Sequence, residues 1–398
     1  MISNDKNLFQ IKRQLGKIKF LNFADTDLVS GHRMLGNEVK PQVQNILKRK
    51  LDILEKSRFE EEMTFIRDCQ NSLIEKSKSA QVHPKIRTGI DQYIHCLRAW
   101  AYGAKLNEFS HPMIDGNKID EFKLALWLQN DNGGCQTGVY RDGDQSVIIW
   151  HTEEDVEYEP SARFDKLRIA SFSATDEGKE VIITSLIYPD LLPGPAFNWR
   201  NGNFVQAVDA LYIDHKKTSG KMLSNITCWL TLRSGDMIDS RDIIETLGPY
   251  IDGYATTIVK RKPGGKISAV KLEFAGDIIY QSNLMESPTH YLFQVNVCSL
   301  KNSELAKMED IDSNYRIFFE ERIERTSQLI RASENSDMIK QILFTLLPST
   351  DGGDFAYSNK DVKGYFVARM SDSGLEMWMD GGPATAKDNP MAIKIPVS

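Results

Sequence analysis

The apolar periodicity of this chain switches from helical to β-like across Asn130-Asp131-Asn132-Gly133-Gly134. Upstream, Val39 to about Ser77 carries Val43, Ile46, Leu47, Leu51, Leu54, Phe59, Met63 and Ile66 at helical spacing, with Pro41 suited to a first turn. A second helix is expected from about Lys85 to Ala104 and a short one from Ile119 to Gln129; His111 to Asn117 reads as a loop. Downstream come short runs rich in β-branched and aromatic residues: Ser146–His151, Leu167–Phe172, Val181–Ile187, Phe204–Ile213, Ala255–Lys260, Ile267–Phe274 and Tyr291–Val297. Turn signals separate them, Pro263-Gly264-Gly265 among them. Asp239–Leu247 and residues 301–348 return to helix, Tyr315–Ile330 being strongly amphipathic, and Gly364–Met370 and Leu375–Asp380 follow as two strands. This succession suggests an α+β layered domain, with sheets carrying the site and helices packed outside. The helical first third, residues 1–134, reads as a separate lobe or a prosegment, and 135–398 as the β-rich remainder.

Cys135 stands at this junction, between a glycine pair and a strand. Most single cysteines are buried and inert. A cut before Cys135, however, would make its thiol a nucleophile and its freed α-amine a base on the same residue. Glycine at Gly133 and Gly134 permits the backbone shape such a cut requires. Glu153, Glu154 and Asp155 follow His151 at a strand end; they read either as a solvated turn or as carboxylates that orient an amine. His151 or His290 could instead activate the thiol in a papain-like pair, although the spacing carries no signature for either. The Pro193–Trp199 segment, with Phe197 and Asn198, reads as a tight turn or a pocket wall. Gly381-Gly382-Pro383 lacks the form of a phosphate-binding loop.

Composition narrows the function classes. A net charge of −6 with no basic stripe argues against nucleic acid as a partner. The N-terminus lacks the apolar core of a signal peptide and no run approaches a membrane span, so a cytoplasmic protein with no membrane partner is expected. Five scattered cysteines without a CxxC pair indicate neither a zinc site nor a disulfide framework, and no metal is expected.

Several segments, in order, resemble the N-terminal-nucleophile hydrolase family of isopenicillin N acyltransferase and the carcinine and β-alanyl-dopamine hydrolases. Gly31-His32-Arg33-Met34-Leu35-Gly36 resembles a glycine-bordered prosegment motif, and Gly134-Cys135-Gln136-Thr137 the Gly-Cys-Thr processing site. Trp150-His151-Thr152-Glu153-Glu154-Asp155 is similar to the segment after the family's first strand. Phe197-Asn198 through Val208-Asp209-Ala210-Leu211, Ser287-Pro288-Thr289-His290-Tyr291-Leu292, Ser313-Asn314-Tyr315-Arg316, Lys363-Gly364 and Met377 to Pro383 match later motifs, over about residues 30–385.

The resemblance implies an αββα four-layer sandwich. It also implies autocleavage at Gly134–Cys135 into associated α and β fragments, and acyl transfer from a small-molecule amide, peptide or thioester. Cys135 would be the nucleophile, with Thr137 near the new N-terminus, Glu154 or its neighbours Glu153 and Asp155 orienting an amine, and Thr289 standing where the family's oxyanion asparagine falls. Thr152, Phe197, Asn198, Asp209, His290 and Lys363 would contact substrate, Lys363 holding a carboxylate where the family has arginine. No cofactor is implied beyond a coenzyme A thioester as acyl donor; a homo-oligomer is compatible with this. The replacements at Thr152, Asp209 and Thr289 leave open a degenerate, unprocessed binding or scaffold protein; a papain-like hydrolase without cleavage, using His151 or His290, is the other alternative.

Overall fold

In a computed structural model, the switch in periodicity becomes a seam between helices and two sheets. The structure describes residues 18–116, 119–130, 134–143, 145–154, 167–176, 178–234, 239–300, 303–332, 338, 342, 362–380 and 393–395. Helix α1 (Leu28–Ile53) begins where the Asp27 carboxylate accepts the Ser30 amide at 3.0 Å. Helix α2 (Lys56–Lys78) follows after extended backbone at Leu54 and Glu55, so the single stretch expected over Val39–Ser77 is two helices. Pro41 lies inside α1 rather than in a first turn, because the helix starts well upstream of it. Helix α3 (Pro84–Gly103) opens on a proline whose missing N–H no helix partner needs. The segment expected as a loop contains α4 (Pro112–Asp115), capped by His111, and α5 (Glu121–Leu128) ends just before the seam.

Gly36 of α1 and Gly103 of α3 set a close helix crossing. A Cβ on Gly36 would stand 2.1 Å from the Trp100 carbonyl oxygen, and one on Gly103 2.1 Å from that of Arg33.

The strands are β1 (Lys19–Phe23), β2 (Gly134–Arg141), β3 (Val147–Glu154), β4 (Arg168–Asp176), β5 (Lys179–Ile187), β6 (Asn198–Arg200) and β7 (Phe204–Leu211). Helices α6 (Ser224–Ser234) and α7 (Ser240–Leu247) come next, then β8 (Tyr250–Arg261), β9 (Ile267–Gly276), β10 (Ile278–Asn283) and β11 (Tyr291–Gln294). Helices α8 (Glu304–Lys307) and α9 (Ser313–Ala332) precede β12 (Val362–Ser371), β13 (Gly374–Asp380) and β14 (Ile393–Ile395). One sheet has the order β1-β4-β5-β6-β7-β8-β9-β10, the other β11-β2-β3-β12-β13-β14. The molecule is thus α+β, with helices and two sheets. Every strand run expected above overlaps a strand, but two stop short of the expected end: β7 at Leu211 rather than Ile213, and β11 at Gln294 rather than Val297. Helix α6 escaped notice because all of it is buried, which leaves no polar face to mark a period. No helix among the described residues is long and apolar enough to cross a membrane.

Three of the four buried clusters among the described residues order these elements. Leu35, Leu97, Trp100 and Leu126 of the N-terminal helices share one with Phe172, Ile183, Phe204 and Phe274 of the eight-stranded sheet. A second lies between the sheets, joining Val139, Ile149, Phe366 and Ala368 to Ile169, Leu186, Val205 and Val259. A third joins Trp150, Phe293 and Val367 to Phe319 and Ile330 of α9. The N-terminal helices therefore pack on the sheet rather than forming a lobe of their own. Their segment also contributes β1, which pairs in parallel with β4.

Candidate active site

Alternation along β2 puts Cys135 and Thr137 on the face that carries Val139, toward the other sheet. On β3, His151 and Glu153 share the face of Val147 and Ile149; on β7, Asp209 shares the face of Val205 and Ala207. Cys135, Thr137, His151, Glu153 and Asp209 are all buried. A polar cluster thus occupies one end of an otherwise apolar space between the sheets.

A second asparagine-bearing segment completes it. Strand β11 pairs antiparallel to β2 as far as Gln294 opposite Thr137, and continuing that register would set Asn296 opposite Cys135. The ladder stops short, and the Asn296 side chain takes over. Its Oδ1 accepts the Cys135 amide N–H at 3.3 Å, while its Nδ2 lies 3.8 Å from Cys135 Sγ and donates to the Ala210 carbonyl at 2.8 Å. Strand β6 supplies the reason the site forms here. It pairs with β7 only from Phe204 to Gln206, which frees the later groups of β7 on that edge. Those groups are satisfied by the site: the Cys135 thiol donates to Val208 O at 3.5 Å, Asn296 Nδ2 to Ala210 O, and the Tyr212 amide to Asn296 O at 3.2 Å.

His151 gives both ring nitrogens to neighbours. Nδ1 meets Thr137 Oγ1 at 2.8 Å and Nε2 meets Glu153 Oε1 at 2.8 Å. The Tyr188 hydroxyl donates to the other oxygen of Glu153, and Phe197 stacks on the imidazole with centroids 6.2 Å apart. Burial pulls the His151 pKa down, but Glu153, Asp209 and Glu154 outweigh it and the net shift is upward. Burial, then the Asp209 and Glu153 charges, push the Cys135 thiol well above its ordinary value, so in the intact chain it is a neutral thiol. Asp209 is raised to about 6 by burial, against the opposing pull of His151, Thr137 and Cys135. Both Asp209 oxygens are buried without a partner at hydrogen-bond geometry.

Several expected site residues lie elsewhere. Thr289 sits in an exposed turn, its hydroxyl donating to Tyr291 O at 3.0 Å. Tyr291 pairs with Tyr140, at the other end of β2, so Thr289 is roughly 17 Å along the strand from Cys135 and cannot hold an oxyanion there. His290 is exposed in the same turn, with φ at 56°. Glu154 and Thr152 point to the opposite face of their sheet, because the strand alternates. There Arg322 of α9 clamps Glu154 with contacts of 3.0 and 2.6 Å, and the Thr152 hydroxyl donates to Glu154 at 3.0 Å. Glu154 is therefore not the acid beside Cys135; Glu153 is. Asn198 braces its own loop, donating to Gly194 O at 2.8 Å and Ala196 O at 2.9 Å, and so has no amide hydrogen left for a substrate. Phe197 does line the cluster, stacked between His151 and Phe366. Lys363 lies in β12 at a register shift between Val362 and Gly364; its side chain, Asp155, and Gly381 to Pro383 lie outside the described residues.

The sequence reading missed Asn296 and Tyr188. A signal for Asn296 existed: it is a lone amide within the apolar run Val295-Asn296-Val297. Among the described residues, no group of three His, Cys, Asp or Glu is placed to hold a metal ion. No family model matches the chain, and no curated protein matches it in sequence.

Proposed function

We propose that the protein is an autoprocessed cysteine hydrolase or acyltransferase of the N-terminal-nucleophile type, acting on a small-molecule amide, peptide or thioester through a Cys135 acyl-enzyme. The observation that carries this reading is the grip of one side chain, Asn296, on both the amide nitrogen and the sulfur of a buried cysteine at a strand start. These are the two atoms that exchange places in an N-to-S acyl shift. The succession of helices, sheet, sheet and helix defined by the three cores supports an αββα sandwich.

In the first step, Cys135 Sγ attacks the Gly134 carbonyl carbon, the peptide C–N bond breaks, and water hydrolyses the resulting thioester. In the mature site, the freed α-amine takes the thiol proton. Asn296 Nδ2 then stands beside the sulfur to donate to the developing oxyanion of a substrate, a contribution on the order of 3 kcal/mol for one such donor. Water, or an acceptor amine, resolves the acyl-enzyme; a coenzyme A thioester would serve as donor in the transferase case.

Intact mass spectrometry of the purified protein tests this directly. Two masses are expected, one fragment ending at Gly134 and one beginning at Cys135, with a single uncut mass for Cys135→Ala. One observation favours a second reading, an unprocessed binding protein: the intact-chain thiol is buried and its pKa is raised. An uncut wild-type mass together with a Cys135 inert to small thiol reagents would select that reading. No contact favours a papain-like pair, since His151 is engaged at both nitrogens and His290 is in the exposed turn.

A further inference from the structure

The Asp209 carboxylate has no assigned task in the chemistry above, yet it is buried in the cluster with neither oxygen closed to full hydrogen-bond geometry. It projects from the part of β7 whose neighbouring carbonyls, Val208 and Ala210, already contact Cys135 Sγ and Asn296. The Cys135 thiol and the Thr137 hydroxyl both face it. We infer that Asp209 is the proton acceptor of self-cleavage, and hence a catalytic residue of maturation; the inference rests on the proposed function.

The step balances within the chain. The Asp209 carboxylate takes the proton from Cys135 Sγ–H, and the sulfur lone pair forms the S–C bond to the Gly134 carbonyl carbon. The C–N bond then breaks, and the proton held on Asp209 passes to the leaving nitrogen. A thioester and a free amine result, Asp209 is again a carboxylate, and water cleaves the thioester to the Gly134 carboxylate and the Cys135 thiol. No other group in the cluster is as well placed. His151 has both nitrogens occupied, and Glu153 is held by His151 and Tyr188.

The charged and titratable groups around Asp209 fix the expected pH behaviour. From β2 it meets Cys135, from β3 His151 and Glu153, and Tyr188 lies behind Glu153. On its own sheet, β8 places Ala255 opposite it and β9 then places Glu273, which pairs with Lys271 at 3.6 Å. Asp209 is raised to about 6 in this setting, while the thiol stays protonated through neutrality. A base of this kind makes cleavage rise up to about pH 6 and then level off. Direct ionisation of the thiol would instead give a tenfold rise per pH unit through neutrality.

The full-length chain, refolded from denaturant at pH 5 and then jumped to pH 5.5–8.5, is followed by quenched intact mass spectrometry. A plateau above about pH 6 is expected, together with a loss of at least 100-fold in rate for Asp209→Asn at pH 7.5. Circular dichroism checks that the variant is folded; if it is not, the wild-type profile alone decides. A rate that climbs tenfold per unit to pH 8.5, or Asp209→Asn cutting at the wild-type rate, overturns the assignment while leaving Cys135 cleavage intact. A wild-type chain that remains whole at every pH overturns both the assignment and the function it rests on.

Discussion

At the residue scale, Asp209 and His151 show how such a site conflicts with stability. Asp209 is raised from its ordinary value of 3.8 to about 6, so between those values the folded chain binds more protons than the unfolded one. Stability therefore falls as pH rises through that window, and at neutral pH the buried charge costs roughly 3 kcal/mol. His151, also raised, acts in the same sense: its contribution is full below its unfolded value and is lost as pH rises through the folded one. Compared within the uncut Cys135→Ala chain, Asp209→Asn should raise Tm at pH 8 and lose that advantage as pH falls from 6 toward 4, as differential scanning calorimetry would record. On the proposed reading, Asn296→Ala should slow self-cleavage on the order of 100-fold, with Thr289→Ala close to wild type; a time course on denaturing gels separates the two. The position of Asn296 is hidden in the sequence because the likeness over Ser287 to Leu292 is local and carries no information on strand pairing. What selects the asparagine is strand register, which runs from Tyr291 opposite Tyr140 and reaches Cys135 only at Asn296. Cys135 itself was legible, since its glycine pair and the change in periodicity mark it within a few residues.

At the scale of elements, alternation along one strand decides which acids matter. Glu153 and Glu154 are adjacent in sequence and lie on opposite faces of β3, one against His151, the other against Arg322. A run of three acids could not reveal this, because the phase of a strand is fixed by what packs on each side. Nine of the strands were legible from β-branched runs, whereas β2, rich in small and polar residues, the strands β1, β6, β10 and β14, and the wholly buried α6 were not. The crossing of α1 and α3 is a close backbone contact that leaves no room for an added side-chain atom. Gly36→Ala places a methyl group against the Trp100 carbonyl, where only a shift of the helix axis relieves the clash. A loss of about 1–3 kcal/mol is expected in a urea melt, the range found for overpacked cores.

At the scale of the whole molecule, the seam in periodicity does not separate two bodies. The N-terminal helices complete the outer core of the eight-stranded sheet, and β1 forms its edge beside β4. On the proposed reading the cut before Cys135 falls between groups that remain packed together, so gel filtration should show one species where a denaturing gel shows two. The shared core also changes the order of the folding reaction. Before scission, every contact between Leu35, Trp100 or Leu126 and the sheet forms within one chain, at a rate independent of dilution. After scission, the same contacts form between two molecules. Refolding of the matured protein from denaturant should then become second order, its half-time lengthening on dilution, while Cys135→Ala refolds at a concentration-independent rate. The uncut chain is in this sense the template on which the two-chain structure is assembled, and a cut made before folding would leave the two parts to find each other by diffusion.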